Sequence, residues 1–247
     1  GELHLSVLIE SMRREGFELA VSRPEVIIHE EEGVLKEPFE SLVVDCDSQH
    51  QGAVMEELGL RRAEMQDMLP DGKGRVRLQF LIPTRGLIGF RSMFLSMTSG
   101  SGLMTHVFDH YGDYKDIELA QRTRGVLVSM VTGKALGFSL WNLQERGRLF
   151  IDTNVEVYEG MIIGLHSREN DLAVNPIKGK QLTNVRASGT DENIVLSPSV
   201  KHTLEQAMEF IADDELVEIT PENIRIRKKY LTENERKRQG RGSAMRG

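Results

Sequence analysis

The chain holds a single cysteine, Cys46, among 247 residues. No internal disulfide can form from it, and no cysteine set can hold zinc. A reducing, cytoplasmic setting is the expectation that goes with this. Aromatic residues make up 6% of the chain, and none interleaves with the basic residues, which argues against base stacking along a single strand. No apolar run approaches the ~18 residues of a membrane span, and no stretch reads as a secretory leader, so no membrane partner is expected. A phosphate-binding loop is missing too. Gly133-Lys134 is followed by Ala135 rather than Ser or Thr, and Gly72-Lys73-Gly74 falls in a hairpin turn. No Ser, Cys or Thr stands beside a His and an acid in a nucleophile motif. His106 and His110, with Asp109 close by, are too far apart on a strand to share one ion. Neither nucleotide hydrolysis, nor other hydrolytic catalysis, nor a metal site is expected of these residues.

What is present is positive charge, unevenly placed. The net charge is −7. From Arg225 onward nine basic residues stand against Glu233 and Glu235, a local +7, while the other 22 basic and 36 acidic residues carry −14. An acidic body with a basic tail is a pattern of nucleic-acid contact and equally of a solvated end. The balance of 39% hydrophobic and 28% charged residues is that of a globular protein of about two domains. The first residue is Gly1, and GELHL enters an amphipathic pattern at once, so the chain reads as a piece cut from a longer one.

Leu5, Leu8, Ile9 and Met12 form one helical stripe that Gly16 ends, and Phe17, Leu19 and Val21 then alternate as in a strand. Phe39 to Cys46 predicts a strand, and Val54, Met55 and Leu58 a short helix. Leu60 to Leu69 and Arg75 to Ile82 flank the turn Pro70-Asp71-Gly72-Lys73-Gly74. Val76, Leu78, Phe80 and Ile82 alternate with Arg75, Arg77 and Gln79. Leu87, Phe90, Phe94 and Met97 then predict one helix, and Leu103 to Tyr111 a strand. The order β-α-β-β-α-β is the split βαβ, ferredoxin-like unit of an α+β protein.

From Arg124 short strands between glycines are predicted, Val126–Val131, Ala135–Leu140, Arg148–Ile151, Met161–His166 and Asp171–Val174, as in a β-rich sandwich or barrel. Trp141, beside one of them, is expected in a core or domain interface. Thr203 and Gln206 fit a capping box before Leu204, Ala207, Met208 and Ile211. Leu216–Ile219 and Ile224–Lys229 predict strands, with Arg225, Arg227 and Lys229 on one face. Thr232 to Glu235 can cap a last short helix before a frayed basic end.

The stretch Asn175–Asn193, NPIKGKQLTNVRASGTDEN, carries Lys178, Lys180 and Arg186 and has neither helical nor strand periodicity. Loops this long inside a domain are functional or mobile. Ordering one without burial is opposed by conformational entropy; it either stays solvated or orders on a polyanion. Basic residues without aromatics point to a structured RNA surface met through its phosphates.

The motifs GAVMEELGLRRAEMQDM, GRVRLQFLIP, GFRSMFLSMTSGSG and FDHY resemble the C-terminal ferredoxin-like domain of elongation factor G. GELHLSVLIESMRREGFELAVSRPEVI resembles the end of the domain that precedes it. GVLVSMVTGKALGFSLWNLQERGRLF, VYEGMIIGLHSRENDLAVN, KGKQLTNVRASGTDE and DDELVEITPENIRIRKKYLTENERKR resemble the domain specific to the BipA/TypA family. The resemblance covers essentially the whole chain. It divides the chain into residues 1–35, the end of a domain III-like unit; 36–115, a domain V-like unit; and 116–247, the family-specific β-rich domain with its basic tail.

The resemblance implies a translational GTPase of the cytoplasm that acts in large-subunit assembly and in stress and cold adaptation. GTP and magnesium would belong to an N-terminal domain these residues lack, so no cofactor and no catalysis are expected here. It implies a monomer that meets ribosomal RNA, ribosomal proteins and the acceptor end of A-site tRNA. The RNA contacts would be Lys178, Lys180, Arg186, Arg225, Arg227, Lys228, Lys229, Arg236, Lys237 and Arg238. A small-molecule-binding regulatory module of ferredoxin-like type is the alternative. Phosphate contact predicts that ribosome association weakens steeply from low to high salt; equal co-sedimentation at both contradicts it.

Overall fold

The structure, a computed structural model, describes residues 2–114, 122, 124–179 and 195–244, without the side chains of residues 2, 3 and 240–244. Lys180, Arg186 and residues 180–193 of the long loop therefore lie outside the described residues. The chain divides into two compact units, one of residues 24–121 and one of residues 1–23 with 122–247. α1 (Glu2–Arg14) and β1 (Leu19–Ser22) open the chain and belong to the second.

Residues 24–121 hold β2 (His29–Glu31), β3 (Val34–Asp47), α2 (Gln51–Leu60), β4 (Glu64–Pro70), β5 (Arg75–Pro83), α3 (Thr84–Leu87), α4 (Phe90–Met97) and β6 (Leu103–Asp113). The strands run β6–β3–β5–β4, all antiparallel, with β2 on the first residues of β3. This is the ferredoxin-like arrangement that the element order predicts. Alternation sends Leu42, Val44 and Cys46 of β3 and Val76, Leu78, Phe80 and Ile82 of β5 to one face. Val54 and Leu58 of α2 and Phe90 and Phe94 of α4 close over them. At the β4–β5 turn, Asp71 Oδ1 accepts from the Lys73 and Arg75 amides at 2.6 and 2.9 Å, which sets the register.

The predicted single helix over Leu87–Met97 is two pieces. Gly89 breaks it at φ +73°, a left-handed conformation in which glycine carries no steric penalty. The break frees backbone carbonyls, and the buried Arg61 takes them up. Its Nη1 donates to Gly86 O at 2.9 Å and Ile88 O at 3.0 Å, while Nε donates to Glu57 at 2.7 Å.

The second unit continues with β7 (Val126–Ser129), β8 (Gly133–Lys134), α5 (Gly137–Leu143), β9 (Gly147–Leu149), β10 (Glu156–Val157), β11 (Met161–His166) and β12 (Leu172–Val174). It ends with α6 (Leu204–Phe210), β13 (Glu215–Ile219), β14 (Ile224–Lys228) and α7 (Glu233–Ala244). One seven-stranded sheet runs β1–β13–β14–β11–β7–β12 with β9 also on β11; β8 and β10 form a separate ribbon. Among the described residues only the β12–β7 pairing in it is parallel. Val126 and Val128 join Ile162, Val217, Ile219 and Ile226 against Leu204, Ala207 and Met208 of α6 and Ile9 of α1. Leu127, Met161 and Ile163 pack on the opposite face with Leu140 of α5 and Val157. Burial on both faces is why β7 reads as a continuous apolar run.

Within the second unit β1 pairs with β13 and Ile9 of α1 packs on α6, so residues 1–23 share the core of 122–247. Two expectations differ from the structure here. The predicted strand Ala135–Leu140 instead follows β8 as two residues outside any element, Ala135 and Leu136, and the first four residues of α5. Leu136, Leu140 and Leu143 repeat at helical spacing, and a short apolar run alone does not separate helix from strand. Trp141 consequently falls on an outer turn of α5 and is 40% exposed rather than in a core. The predicted capping box at Thr203 and Gln206 is present, with both reciprocal bonds.

Replacing Phe94 by Ala opens a cavity under α4 in the core of residues 24–121. It is expected to lower the unfolding free energy by about 3–5 kcal/mol in urea titration; a loss below about 1 kcal/mol would contradict this packing.

Candidate nucleic-acid interface

Of the predicted basic residues, the described ones fall on β14 or just after it, on α7 and, for Lys178, beside α5, and the structure treats them differently. Along β14, strand parity sends Ile226 and Lys228 to the covered side, where they are 5% and 2% exposed. Arg225 and Arg227 lie on the opposite side, across from Glu218 and Leu216 of β13. The Glu218 carboxylate stands 3.4 Å from Arg225 and 3.6 Å from Arg227 and also accepts the Tyr158 hydroxyl at 2.8 Å. Burial, and then Glu218 itself, push the Tyr158 phenol up, so it remains the donor. Half-buried and sharing one carboxylate, these two arginines present reduced charge to a phosphate.

Lys228 is withdrawn from the surface altogether. Its ammonium reaches Asp171 at 2.6 Å, Asp214 at 2.8 Å and Glu215 at 3.0 Å. Glu215 has no exposed surface. It accepts both Nη atoms of Arg122, at 2.9 and 2.7 Å, and the Ala212 amide at 2.9 Å. Arg122 also lies over the Phe210 ring at 4.4 Å. Asp171 in turn accepts the Val126 amide at the start of β7 at 2.9 Å. Lys228 is therefore better described as the centre of a buried ionic cluster than as an RNA contact. Its neighbours Arg122, Asp171, Asp214 and Glu215 were not singled out by sequence. The available signal was parity, since Lys228 shares the inward phase of Ile224 and Ile226.

α7 begins with the predicted cap: Glu235 N donates to Thr232 Oγ1 at 3.3 Å and Thr232 N to Glu235 Oε2 at 3.1 Å. The residues expected to fray remain helical to Ala244. Gly160, at φ +88°, supports this start, because a Cβ there would lie 2.7 Å from Leu231 Cα. Arg236 donates to the carbonyls of Tyr230 and Leu231, and Lys237 pairs with Glu233 at 2.5 Å. Lys178, Lys229 and Arg238 are exposed and have no ion pair among the described residues. In the other unit, Arg85 is held by the buried Glu37 at 2.6 and 3.0 Å and lies over the Tyr114 ring, so it supports the fold. His106 bonds to Glu40, and His110 to Asp109 at 2.6 Å.

The ferredoxin-like sheet and the domain after it have counterparts among known families. Residues 34–122 match the model of the elongation factor G C-terminus, and residues 124–233 match that of the TypA/BipA C-terminal domain. The fold therefore places this chain among proteins with an elongation-factor-type C-terminal domain. Over 241 residues, 98% of the chain, it is 65% identical to the "Large ribosomal subunit assembly factor BipA" of Haemophilus influenzae, covering 39% of that protein. The Salmonella typhimurium protein of the same name is 61% identical over 98% of the chain and is covered to 40%. The chain belongs to the BipA/TypA family and corresponds to its C-terminal part.

The buried cluster has a pH signature. Burial alone would raise the Glu215 carboxyl, but Arg122, Lys228 and the Ala212 amide outweigh it and hold the group below its ordinary range. Lys228 moves up: burial opposes its charge, and Glu215, Asp171 and Asp214 overcome that. The Glu215 contribution is therefore full above the ordinary carboxylate range and lost as pH falls through the lowered folded value. That of Lys228 is full below the ordinary lysine range and lost as pH rises through the raised folded value. Lys228→Met is expected to cost about 3–5 kcal/mol at neutral pH and to move the acid limb of thermal unfolding to higher pH. An unchanged melting curve would contradict the cluster.

Proposed function

We propose that this chain is the ribosome-binding, non-catalytic portion of a translational GTPase that acts in assembly of the large ribosomal subunit and in stress and cold adaptation. GTP hydrolysis and its magnesium belong in this reading to a domain beyond these residues, in the cytoplasm. The chain acts as a monomer that contacts ribosomal RNA, neighbouring ribosomal proteins and the acceptor end of A-site tRNA. The single observation that carries the reading is its identity of 65% and 61%, along 98% of its length, to proteins named large-subunit assembly factors.

The surface chemistry supports it. Lys178 leads into the loop with Lys180 and Arg186, and Lys229 and Arg238 are exposed cations on and before α7. Such point charges neutralise phosphates and release counterions without reading sequence. Lys237 and Arg236 extend the same surface, while Arg225 and Arg227 contribute less because Glu218 offsets them. In this reading Lys180 and Arg186 of the loop contact the phosphates of the tRNA acceptor end.

Deleting residues 180–193 is the test. Far-UV circular dichroism and melting temperature are expected to stay as in the parent chain, while co-sedimentation with ribosomes falls on the order of tenfold at moderate salt. Unchanged co-sedimentation would overturn the role of the loop.

A further inference from the structure

We propose a second phosphate-binding surface at one corner of the seven-stranded sheet, formed by Arg124, Arg146, Arg148 and Arg168, with a structured RNA backbone as its ligand. These residues are spread over the sequence and only the fold collects them. The Gly125 amide donates to Arg168 O at 2.8 Å, which sets Arg124 beside Arg168. The Ser167 amide and hydroxyl donate to Arg146 O at 2.9 and 2.8 Å, which brings the start of β9 to the same loop. Arg148 is the cross-strand neighbour of Leu165 on β11. Arg124 and Arg168 line an open cleft of about 600 Å3 with Ser167, Glu169 and Asn170.

What distinguishes this corner is that its charge is free. All four arginines are exposed, and none has an ion pair among the described residues. By contrast Arg122, Arg225, Arg227, Lys228 and Lys237 each face a carboxylate within 4 Å. Glu145 and Glu169 are the exposed acids on the same segments, and the neighbouring Asp171 is already engaged by Lys228. The corner stays net positive. An unpaired guanidinium keeps its forked donors available for two phosphate oxygens at once, which a paired one does not. A shallow, open cleft suits a backbone better than an enclosed small molecule. Ser167 and Asn170 add polar groups at its edge.

The inference rests on the RNA-binding reading above, and the experiment separates the two. Two double variants, Arg124→Gln with Arg168→Gln and Arg146→Gln with Arg148→Gln, are compared with Arg225→Gln/Arg227→Gln and with the 180–193 deletion. Filter binding to purified large-subunit ribosomal RNA is measured over a range of salt concentrations. Each corner double variant is expected to bind roughly tenfold more weakly, with the salt slope reduced by roughly 1 per arginine. The Arg225/Arg227 pair is expected to change binding by less than about twofold, since Glu218 already offsets it. Arg→Lys versions, which keep the charge but lose the fork, should bind between the Gln versions and the parent, and melting curves should match the parent, as these are exposed positions. If the corner variants bind RNA like the parent while the deletion does not, the corner is no RNA site and the functional reading stands. Loss of binding to RNA-free ribosomal proteins in place of RNA also overturns it. Failure of the parent to bind RNA at all overturns both.

Discussion

The carboxylate of Glu215 is the point on which the second unit turns. Fully removed from solvent, it is tolerable as a charge only because two cations and one amide surround it. Each partner comes from a different part of the chain. Arg122 stands where the chain returns from the ferredoxin-like unit, Ala212 ends the α6 segment, and Lys228 closes β14. Lys228 draws in Asp171, whose other oxygen holds the first amide of β7. One buried group thus ties together the re-entry of the chain, one helix and three strands. Phe210 under the Arg122 guanidinium adds apolar contact to the same joint. A cluster of this kind fixes register and connection rather than adding net stability, because desolvation offsets much of its attraction.

That demand sets two groups of basic residues apart, with exposed but paired cations such as Lys237 between them. Cations that the fold needs are paired and at least partly buried, as Arg122, Lys228, Arg225 and Arg227 are, and in the other unit Arg61 and Arg85. Cations the fold does not need remain exposed without an ion partner among the described residues, at Lys178, Lys229, Arg238 and the four arginines of the sheet corner. Net charge alone hides this division, since the chain as a whole carries −7. For a polyanionic partner the relevant quantity is the charge left over after the fold has used its own.

Much of the ferredoxin-like unit was legible because its signals are local. Alternation in β5, the Asp71 turn and the phase of Phe90 and Phe94 each act within a few residues. What sequence did not resolve was where a local signal is ambiguous or a partner is distant. The run around Leu140 satisfies both strand and helix until α5 packs it onto Val157 and Ile163. β1 finds its partner in β13, nearly two hundred residues away. Lys228 was grouped with its basic neighbours, although its phase along β14 matches Ile226. The corner arginines were invisible for the same reason, since no two of them except Arg146 and Arg148 lie close in sequence. The loop residues Lys180 and Arg186 are legible as basic and unpatterned, and their place is outside the described residues.

The central claim is that these residues meet the ribosome through RNA phosphates on the surface of residues 122–247. Cross-linking the chain to intact ribosomes and mapping both partners tests it most directly. The account predicts adducts between ribosomal RNA and peptides carrying Lys178 to Arg186, Lys229 or Arg238. Adducts confined to ribosomal proteins, or to RNA only through the ferredoxin-like unit, would contradict it.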